Sequence, residues 1–255
     1  MKRAKVSIVM RFGQAVRKRR MELDLSQEYR EVGSSAWYVD RGSLREPPNG
    51  PAAVKIVRTE ILIDAGGFGN SAEWQRRYDE ICESISTIEW PPGSGSFTLH
   101  DQSGKKRGEG SGVTPIKKAC MLRLQRYGWT LETRIDVATV KRPGPVDASC
   151  RVGDKLLCVE WETGNISSSH RALNKMCLGM LKGMLVGGVL IQPTRKMYGY
   201  LTDRVGNFSE IEPYFPFWRQ FQVSEGILAV MAIEHDAVSL DVPRIPKGTD
   251  GRALQ

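Results

Sequence analysis

The strongest pattern in the chain is a short segment, residues 156–162, that is largely apolar on both faces. Successive side chains of a β-strand point to opposite faces of the sheet. One face would carry Leu157, Val159 and Trp161, and the other Leu156, Cys158, Glu160 and Glu162. A strand that buries both faces belongs inside a sheet. The two carboxylates at its end would then be partly buried, which is unfavourable unless positive charge compensates them.

A turn and another acid precede this strand. Arg151-Val152-Gly153-Asp154 has the composition of a turn, which would fold the strand carrying Asp147 back against the strand carrying Glu160. Asp147, Glu160 and Glu162 would then converge, and a hard divalent cation is the natural partner of such a group. For any one acid alone, a solvated charge at a strand end is the simpler explanation. The three together favour a metal-dependent hydrolase.

Helical periodicity predicts further elements around this hairpin. Apolar residues spaced three or four apart indicate helices over residues 52–64 and 71–89. Thr114-Pro115 is typical of a helix start, and Gly128 of a helix end. The apolar stripe of this helix is Ile116, Cys120, Leu124 and Tyr127. A long helix capped by Ser168 or Ser169 would follow the acids. Its stripe is Leu173, Met176, Met180 and Met184.

The remaining segments complete an α/β pattern. Residues 129–140 and 187–192 are predicted strands, residues 213–218 an aromatic turn, and residues 221–233 a strand or a helix. The middle of the chain then has the order helix–strand–strand–strand–helix–strand. This order predicts an α/β fold with a central mixed β-sheet flanked by helices.

The N-terminal residues 1–50 differ from the rest of the chain. Residues 12–28 resemble the opening of the helix-turn-helix found in phage-repressor-type regulators, but the pattern breaks after Glu28. A basic amphipathic arm is the alternative. A Pro- and Gly-rich linker at residues 45–51 follows. We therefore expect an N-terminal arm over residues 1–50, a main domain over 51–240 and a loose C-terminal tail over 241–255.

Composition and charge narrow the class of protein. A chain of 255 residues with 40% hydrophobic and 26% charged residues is long enough and apolar enough to bury a full core. The net charge of +8 suggests nucleic acid as a partner, although many proteins are basic for no specific reason. Five cysteines without paired spacing indicate buried thiols in a reducing compartment. Because no apolar run has the length of a membrane span, we expect a soluble, cytoplasmic protein without membrane association.

The arrangement of acids resembles a known superfamily. Pro145-Val146-Asp147, a hairpin-length spacer, Glu160-x-Glu162 and a long helix resemble the PD-(D/E)xK nucleases. The chain is most similar to the BamHI and BglII group of type II restriction endonucleases, over about residues 96–218. Further markers are the segments 112–117, 128–129 and 167–171. Glu162 stands where most of the superfamily has lysine, and BamHI-like enzymes share that substitution.

The resemblance implies a function and a set of site residues. It implies a homodimer with a restriction-endonuclease-like core that cuts double-stranded DNA at a short palindromic site, within a restriction-modification system. Asp147 and Glu160 would hold Mg²⁺ together with the Trp161 carbonyl. Glu162 would accept the proton of the attacking water or bind a second metal ion. Glu132, in the preceding strand, is a candidate fourth acid.

Hydroxyl and cationic side chains near helix starts and loops are candidate DNA contacts. A helix cap and solvated surface charges explain the same residues equally well. The candidates are Ser167, Ser168, Ser169, Arg171, Arg195, Arg204, Lys105 and Lys106. The last two lie in a loop that we expect to be flexible and able to clamp phosphates.

Two other functions are compatible with the sequence. The basic start of the chain allows a DNA-binding regulator in which the acids are structural. The same core also allows a repair or single-strand nuclease. The three functions differ in what they do to plasmid DNA with Mg²⁺: discrete fragments, binding without cleavage, or nicking.

Overall fold

A computed structural model describes residues 54–106, 108–136, 144–202 and 205–247. The N-terminal arm over residues 1–50, with its helix-turn-helix-like start, lies outside the described residues. So do Arg204 and the final part of the expected tail. The rest of this subsection concerns the described ranges alone.

A six-stranded mixed sheet flanked by helices forms the body of the protein, as predicted. In chain order the elements are β1 (Val54–Ala65), α1 (Ala72–Ser86), β2 (Thr98–His100), α2 (Thr114–Arg126), β3 (Thr130–Thr133), β4 (Val146–Val152), β5 (Lys155–Trp161), α3 (Ile166–Leu181), β6 (Leu185–Pro193), α4 (Arg195–Tyr198), α5 (Phe208–Ile211), α6 (Phe215–Trp218), β7 (Gly226–His235) and β8 (Ala237–Ser239). The strand order is β1-β7-β6-β5-β4-β3, and β2 pairs with β8 in a separate small sheet. Strands β5, β6 and β7 run parallel, whereas the other neighbours in the large sheet are antiparallel.

The large sheet has a hydrophobic core on each face. The first core joins the sheet to α1 and α2 and includes Trp74, Ile81, Leu124 and Val159. The second joins it to α3, α5 and α6 and includes Cys158, Leu173, Leu190 and Trp218. Val159 and Cys158 are neighbours on β5 but belong to opposite cores, as the alternation of a strand requires. The prediction that this segment is an inner strand is confirmed.

The hairpin of β4 and β5 sets the geometry of the acidic residues. Val152 pairs with Lys155, so the turn consists of Gly153 and Asp154 alone. The prediction that Arg151 and Val152 belong to the turn is wrong, because both continue the strand. Gly153 has a φ of 61°, a left-handed conformation that glycine adopts without a Cβ penalty and that suits a tight hairpin.

The predicted helix over residues 52–64 is wrong, because these residues form most of β1 where they are described. β1 pairs antiparallel with β7 along almost its whole length. Its sequence is rich in β-branched residues, whose stiff side chains favour strands over helices. The spacing of apolar residues in this segment fits a helix as well as a strand. Pairing with the edge of β7 selects the strand. The helix predicted over residues 71–89 is confirmed by α1.

Two other local predictions change in the structure. The cap of α3 is Asn165, whose side chain accepts a hydrogen bond from the Ser167 N–H, and not Ser168 or Ser169. Met184 lies beyond the end of the helix. The aromatic segment 213–218 forms short helical turns. Residues 221–233 resolve largely into β7, the strand alternative.

The start of the expected tail is packed and not loose. Ile245 is buried, and its carbonyl accepts a hydrogen bond from the Gly112 N–H at 3.0 Å. The Trp90 indole donates to the Pro243 carbonyl at 2.7 Å. The described part of the tail, which ends at residue 247, therefore packs against the segment that leads into α2.

The five cysteines are free and buried, as predicted. In the described part of the chain, no helix combines the length and the apolar character needed to cross a membrane.

Candidate active site

Asp147 and Glu160 lie opposite each other at the open end of the β4–β5 hairpin. Ala148 pairs with Val159, and continuing this register by one residue sets Asp147 against Glu160. The Asp147 carboxylate is buried, and its Oδ2 accepts a hydrogen bond from the Trp161 N–H at 2.7 Å. The hairpin therefore brings together the two acids and the Trp161 main chain.

Each of these two carboxylates is neutralised by a lysine from a flanking helix. Lys117 on α2 donates to Asp147 Oδ1 at 2.5 Å. Lys175 on α3 forms an ion pair with Glu160. Burial raises the pKa of Glu160, the neighbouring Asp147 charge raises it further, and Lys175 opposes both effects. The compensation that the buried acids require thus comes from both helices.

Glu162 lies just beyond the end of β5 and is held by hydrogen bonds of its own. Its Oε1 accepts from the Gly164 N–H at 2.6 Å, and its Oε2 accepts from the Ser169 hydroxyl. Burial raises the pKa of Glu162 to about 7, against the lowering effect of these two hydrogen bonds. Among the described residues, no three Asp, Glu, His or Cys side chains are arranged to hold one metal ion, so a site in which all three acids bind the same cation stays a prediction.

The three acids nevertheless share one open cleft of about 600 Å³. Its floor is the carboxyl end of β5 and the open end of β4, and its wall is the first two turns of α3. The charged and hydroxyl side chains that line it are Lys117, Asp147, Glu160, Glu162, Thr163, Ser168, Arg171 and Lys175. Such a surface, acidic at its floor and cationic at its rim, suits a phosphodiester group bridged to the acids by a cation.

Comparison with known proteins gives the family. A family model described as restriction endonuclease BamHI matches residues 54–252. The chain belongs to the BamHI family of restriction endonucleases. The type II restriction enzyme OkrAI of Oceanobacter kriegii is 50% identical over 202 residues, which cover 79% of this chain and 100% of that protein. The type II restriction enzyme BamHI of Bacillus amyloliquefaciens is 36% identical over 185 residues, covering 69% and 82%.

Among solved structures, the chain is similar to the restriction endonuclease BglII complexed with a DNA 16-mer. The TM-score is 0.47 at 12% identity, with 70% of this chain and 79% of that chain covered. Membership of the BamHI family confirms the resemblance inferred from the acidic motif.

The residues of this BamHI-family site suit a hard divalent cation at Asp147 and Glu160. Both supply carboxylate oxygens, the donors that Mg²⁺ prefers. The Trp161 N–H donates to Asp147, so the main chain of Trp161 lies beside this carboxylate. The mutual repulsion that raises the pKa of Glu160 is of the kind that a cation relieves. The two opposed carboxylates are therefore the oxygen donors that the cleft offers such a cation.

Glu132 does not line the cleft of the three acids, but it shares a second pocket of about 540 Å³ with Asp147 and Lys117. Its side chain is 64% exposed, and the Lys117 ammonium that binds Asp147 lies 4.0 Å from it. Its backbone has a φ of 52°, an uncommon conformation for a residue with a Cβ.

The residues at the start of α3 divide into two groups. Ser167 is exposed, and Ser168 lines the cleft and accepts a hydrogen bond from Arg171 at 2.8 Å. The prediction that Ser169 contacts DNA is wrong, because this residue is fully buried and bonds to Glu162. The first turn of a helix presents successive residues in different directions, and the direction of each depends on how the helix packs.

Three other predicted DNA contacts, Arg195, Lys105 and Lys106, do not line the cleft. Arg195 is exposed on α4 and forms an ion pair with Glu210 at 3.4 Å. Lys105 and Lys106 are also exposed. Their loop is anchored, because the Gly104 N–H donates to the Gly199 carbonyl at 2.9 Å. Arg204 is outside the described residues.

Sequence reasoning did not assign site roles to Lys117, Lys175 or Gln192. Lys117 was noted only as part of a helix start, and both lysines flank apolar stripes of their helices. The requirement for a compensating cation beside buried acids was the available signal. Nothing in the sequence indicated which cations would supply it.

Proposed function

We propose that this protein is a homodimeric type II restriction endonuclease of a restriction-modification system. It hydrolyses phosphodiester bonds in both strands of double-stranded DNA at a short palindromic site, with Mg²⁺ as its cofactor. The observation that carries the proposal is the opposition of two buried carboxylates, Asp147 and Glu160, in a cleft bordered by Lys117, Arg171 and Lys175. Membership of the BamHI family supports the reaction class.

Asp147 and Glu160 would hold the cation, and the Trp161 carbonyl would be a further ligand. When bound, Mg²⁺ polarises the scissile phosphate and lowers the pKa of a water molecule. The rigid β4–β5 hairpin fixes the spacing of the two carboxylates before DNA arrives, which reduces the reorganisation needed for reaction.

Glu162 accepts the proton of the attacking water. Its carboxylate lines the same cleft and is oriented by the Gly164 N–H and the Ser169 hydroxyl. A role as ligand of a second metal ion is the alternative. We favour the proton acceptor because both carboxylate oxygens of Glu162 already accept hydrogen bonds from the protein, one from the Gly164 N–H and one from the Ser169 hydroxyl.

Cationic and hydroxyl groups at the rim of the cleft orient the DNA backbone. Arg171 and Ser168, at the start of α3, lie beside the acids and face solvent at least in part. Lys105, Lys106, Arg195 and the exposed Ser167 are further candidate phosphate contacts, and Arg204, outside the described residues, stays a candidate from the sequence alone. A dimer with two-fold symmetry would present one cleft to each strand of a palindrome.

The test is incubation of the protein with plasmid DNA and Mg²⁺. Discrete, reproducible fragments are expected, and sequencing of their ends gives the site and the cut position. Retarded but uncut DNA would favour a regulator, and nicking or a smear would favour a repair nuclease.

The matched variants are Asp147→Ala and Asp154→Ala, which remove an acid from opposite ends of one hairpin. Asp147→Ala should abolish cleavage and leave DNA binding largely intact. Asp154, exposed in the turn, should be dispensable. Cleavage by Asp147→Ala at the wild-type rate would contradict the proposed role of Asp147 in the active site.

A further inference from the structure

We propose that Ser169 and Gln192 are positioning residues for Glu162. Together they form a buried chain of hydrogen bonds that fixes the orientation of its carboxylate. The inference rests on the function proposed above, in which Glu162 accepts the proton, and it adds two residues that do not themselves reach the cleft.

The chain of hydrogen bonds runs from β6 through α3 to the end of β5. Gln192 Nε2 donates to Ser169 Oγ at 2.6 Å. The Ser169 hydroxyl donates to Glu162 Oε2. Ser169 and Gln192 have no exposed surface, and Glu162 is 4% exposed. Three side chains from three separate elements thus meet in a buried setting, where each hydrogen bond is strong, and only Glu162 reaches the cleft.

The direction of these hydrogen bonds follows from the chemistry of the groups. An amide nitrogen only donates, so the Ser169 oxygen must accept from Gln192. The single hydroxyl proton of Ser169 then remains for Glu162. Gln192 therefore determines where the Ser169 proton points, and Ser169 determines which way Glu162 Oε2 faces.

Stability alone does not account for Gln192. Its Oε1 is buried and has no hydrogen-bond partner among the described residues. A buried, unsatisfied amide oxygen is destabilising relative to an apolar side chain of the same shape. A polar residue retained at a fully buried position of a central strand at this cost is consistent with a role in the site.

The main chain near Gly206 closes over Ser169 from the other side. The Gly206 N–H donates to the Gly164 carbonyl at 2.7 Å. A Cβ at position 206 would lie only 2.8 Å from Ser169 Oγ and 3.2 Å from the Ile166 Cα. The absence of a side chain at Gly206 therefore leaves room for the Ser169 hydroxyl, and the surrounding backbone restricts its rotation.

Loss of this chain should affect the chemical step more than the binding of DNA. A carboxylate released from its support samples orientations that do not face the attacking water. Supporting residues one step removed from a reactive group typically change activity by roughly 10- to 100-fold. DNA affinity should change little, because neither Ser169 nor Gln192 reaches the surface.

The experiment measures kcat and KM for Ser169→Ala and Gln192→Met with Mg²⁺. The substrate is a duplex oligonucleotide that carries the site read from the fragment ends. We expect kcat to fall by about 10- to 100-fold and KM to stay within about twofold of wild type. Gly206→Ala, which keeps both side chains but crowds the hydroxyl, should lower kcat in the same way. Ser84→Ala is the control, since Ser84 is equally buried but bonds only to the Glu80 carbonyl of its own helix.

A second measurement does not depend on cleavage. In urea unfolding with EDTA, the effects of Ser169→Ala and Glu162→Gln on the midpoint should not add in the double variant, because the two residues share one interaction. Additive effects would contradict the proposed contact. If Ser169→Ala does not fold, Gln192→Met, which conserves side-chain volume, decides the kinetic question.

The outcomes separate this inference from the function on which it rests. If Asp147→Ala is inactive but Ser169→Ala and Gln192→Met keep the wild-type kcat, the positioning role is wrong and the nuclease assignment stands. Equal losses in kcat and DNA affinity, or an equal loss in Ser84→Ala, would reduce the role of Ser169 to folding. Full activity of Glu162→Gln would remove the residue that Ser169 is proposed to position.

Discussion

Lys175 on α3 pairs with Glu160 on β5, and the same ammonium group donates to the carbonyl oxygens of Gly144 and Pro145 at 3.2 and 3.0 Å. The helix is thereby joined both to one acid of the site and to the segment that leads into Asp147. Both side chains of the pair are almost buried, with 12% and 13% exposure. Removal of either partner leaves a desolvated charge.

Lys175→Met should therefore destabilise the protein strongly in the absence of metal ions. We expect a loss of about 3 kcal/mol in the free energy of unfolding, measured with urea in EDTA. Excess Mg²⁺ should restore more stability to this variant than to wild type, because a cation at Glu160 replaces the missing charge. The control is Lys196→Met: Lys196 is 64% exposed in its pair with Glu234, and its loss should cost less than about 1 kcal/mol. Equal losses in the two variants would contradict the prediction.

Glu162→Gln should stabilise the metal-free protein at alkaline pH while it abolishes cleavage. Burial raises the pKa of Glu162 from 4.5 to about 7, so the folded state favours the protonated acid. This contribution to stability is fully present below pH 4.5 and is lost as the pH rises through about 7. The amide removes that loss, and the gain over wild type should grow across this window to roughly 3 kcal/mol at most.

The measurement is urea unfolding in EDTA from pH 4 to pH 8 (about one unit per step). Glu234→Gln is the control of opposite sign. Burial of Glu234 is outweighed by hydrogen bonds from Lys196 and Thr194, which hold its pKa below the ordinary value. That variant should lose stability at neutral pH. A gain of stability at pH 8 in both variants would show that the charge of Glu162 is not the cause.

Arg171→Ala should weaken DNA binding without altering the fold. Arg171 is exposed at the rim of the cleft, where its guanidinium donates to Ser168. If it contacts a phosphate, the slope of log K against log salt should become shallower by about one unit. The measurement is fluorescence anisotropy of a labelled duplex over a range of salt concentrations. Arg76→Ala is the control, because Arg76 is exposed on α1 and paired with Glu73. An unchanged slope for Arg171→Ala would exclude a phosphate contact.

Asn165→Ala should destabilise the start of α3 more than Ser168→Ala does. The Asn165 side chain accepts the hydrogen bond of the Ser167 N–H, whereas the Ser168 hydroxyl accepts from Arg171 on the surface. We expect a loss of about 1 kcal/mol for Asn165→Ala and less than about 0.5 kcal/mol for Ser168→Ala in urea unfolding. Asn165→Asp, which keeps the accepting oxygen, should be close to wild type. A larger loss of stability in Ser168→Ala than in Asn165→Ala would show that Ser168 is the helix cap.

Local patterns predicted the hairpin well, because its determinants are adjacent in the sequence. Alternation identified β5 as an inner strand, and the turn predicted over residues 151–154 contains the actual turn, Gly153 and Asp154, that pairs Asp147 with Glu160. β1 was mistaken for a helix because its pairing partner, β7, lies at the far end of the chain. Its apolar spacing fits both periods, and only tertiary pairing decides between them.

The contacts of individual site residues were harder to predict than the elements that carry them. Ser169 follows the exposed Ser167 by two positions, yet the rotation of α3 buries it against Glu162. Lys117 and Lys175 reach the acids from two different helices. Such contacts depend on how helices pack onto a sheet, which a single sequence does not specify residue by residue.

The two-residue turn at Gly153 and Asp154 fixes which residues of β4 and β5 face each other. Asp147 and Glu160 meet because each is reached from the turn by the same number of alternating steps. Deletion of a single residue from β4 between Asp147 and the turn would carry Asp147 to the opposite face. Deletion of two would return it to the original face, but opposite Cys158 and not opposite Glu160. The two strands must therefore keep equal lengths between the acids and the turn, and relatives that vary in length here are expected to change both strands together.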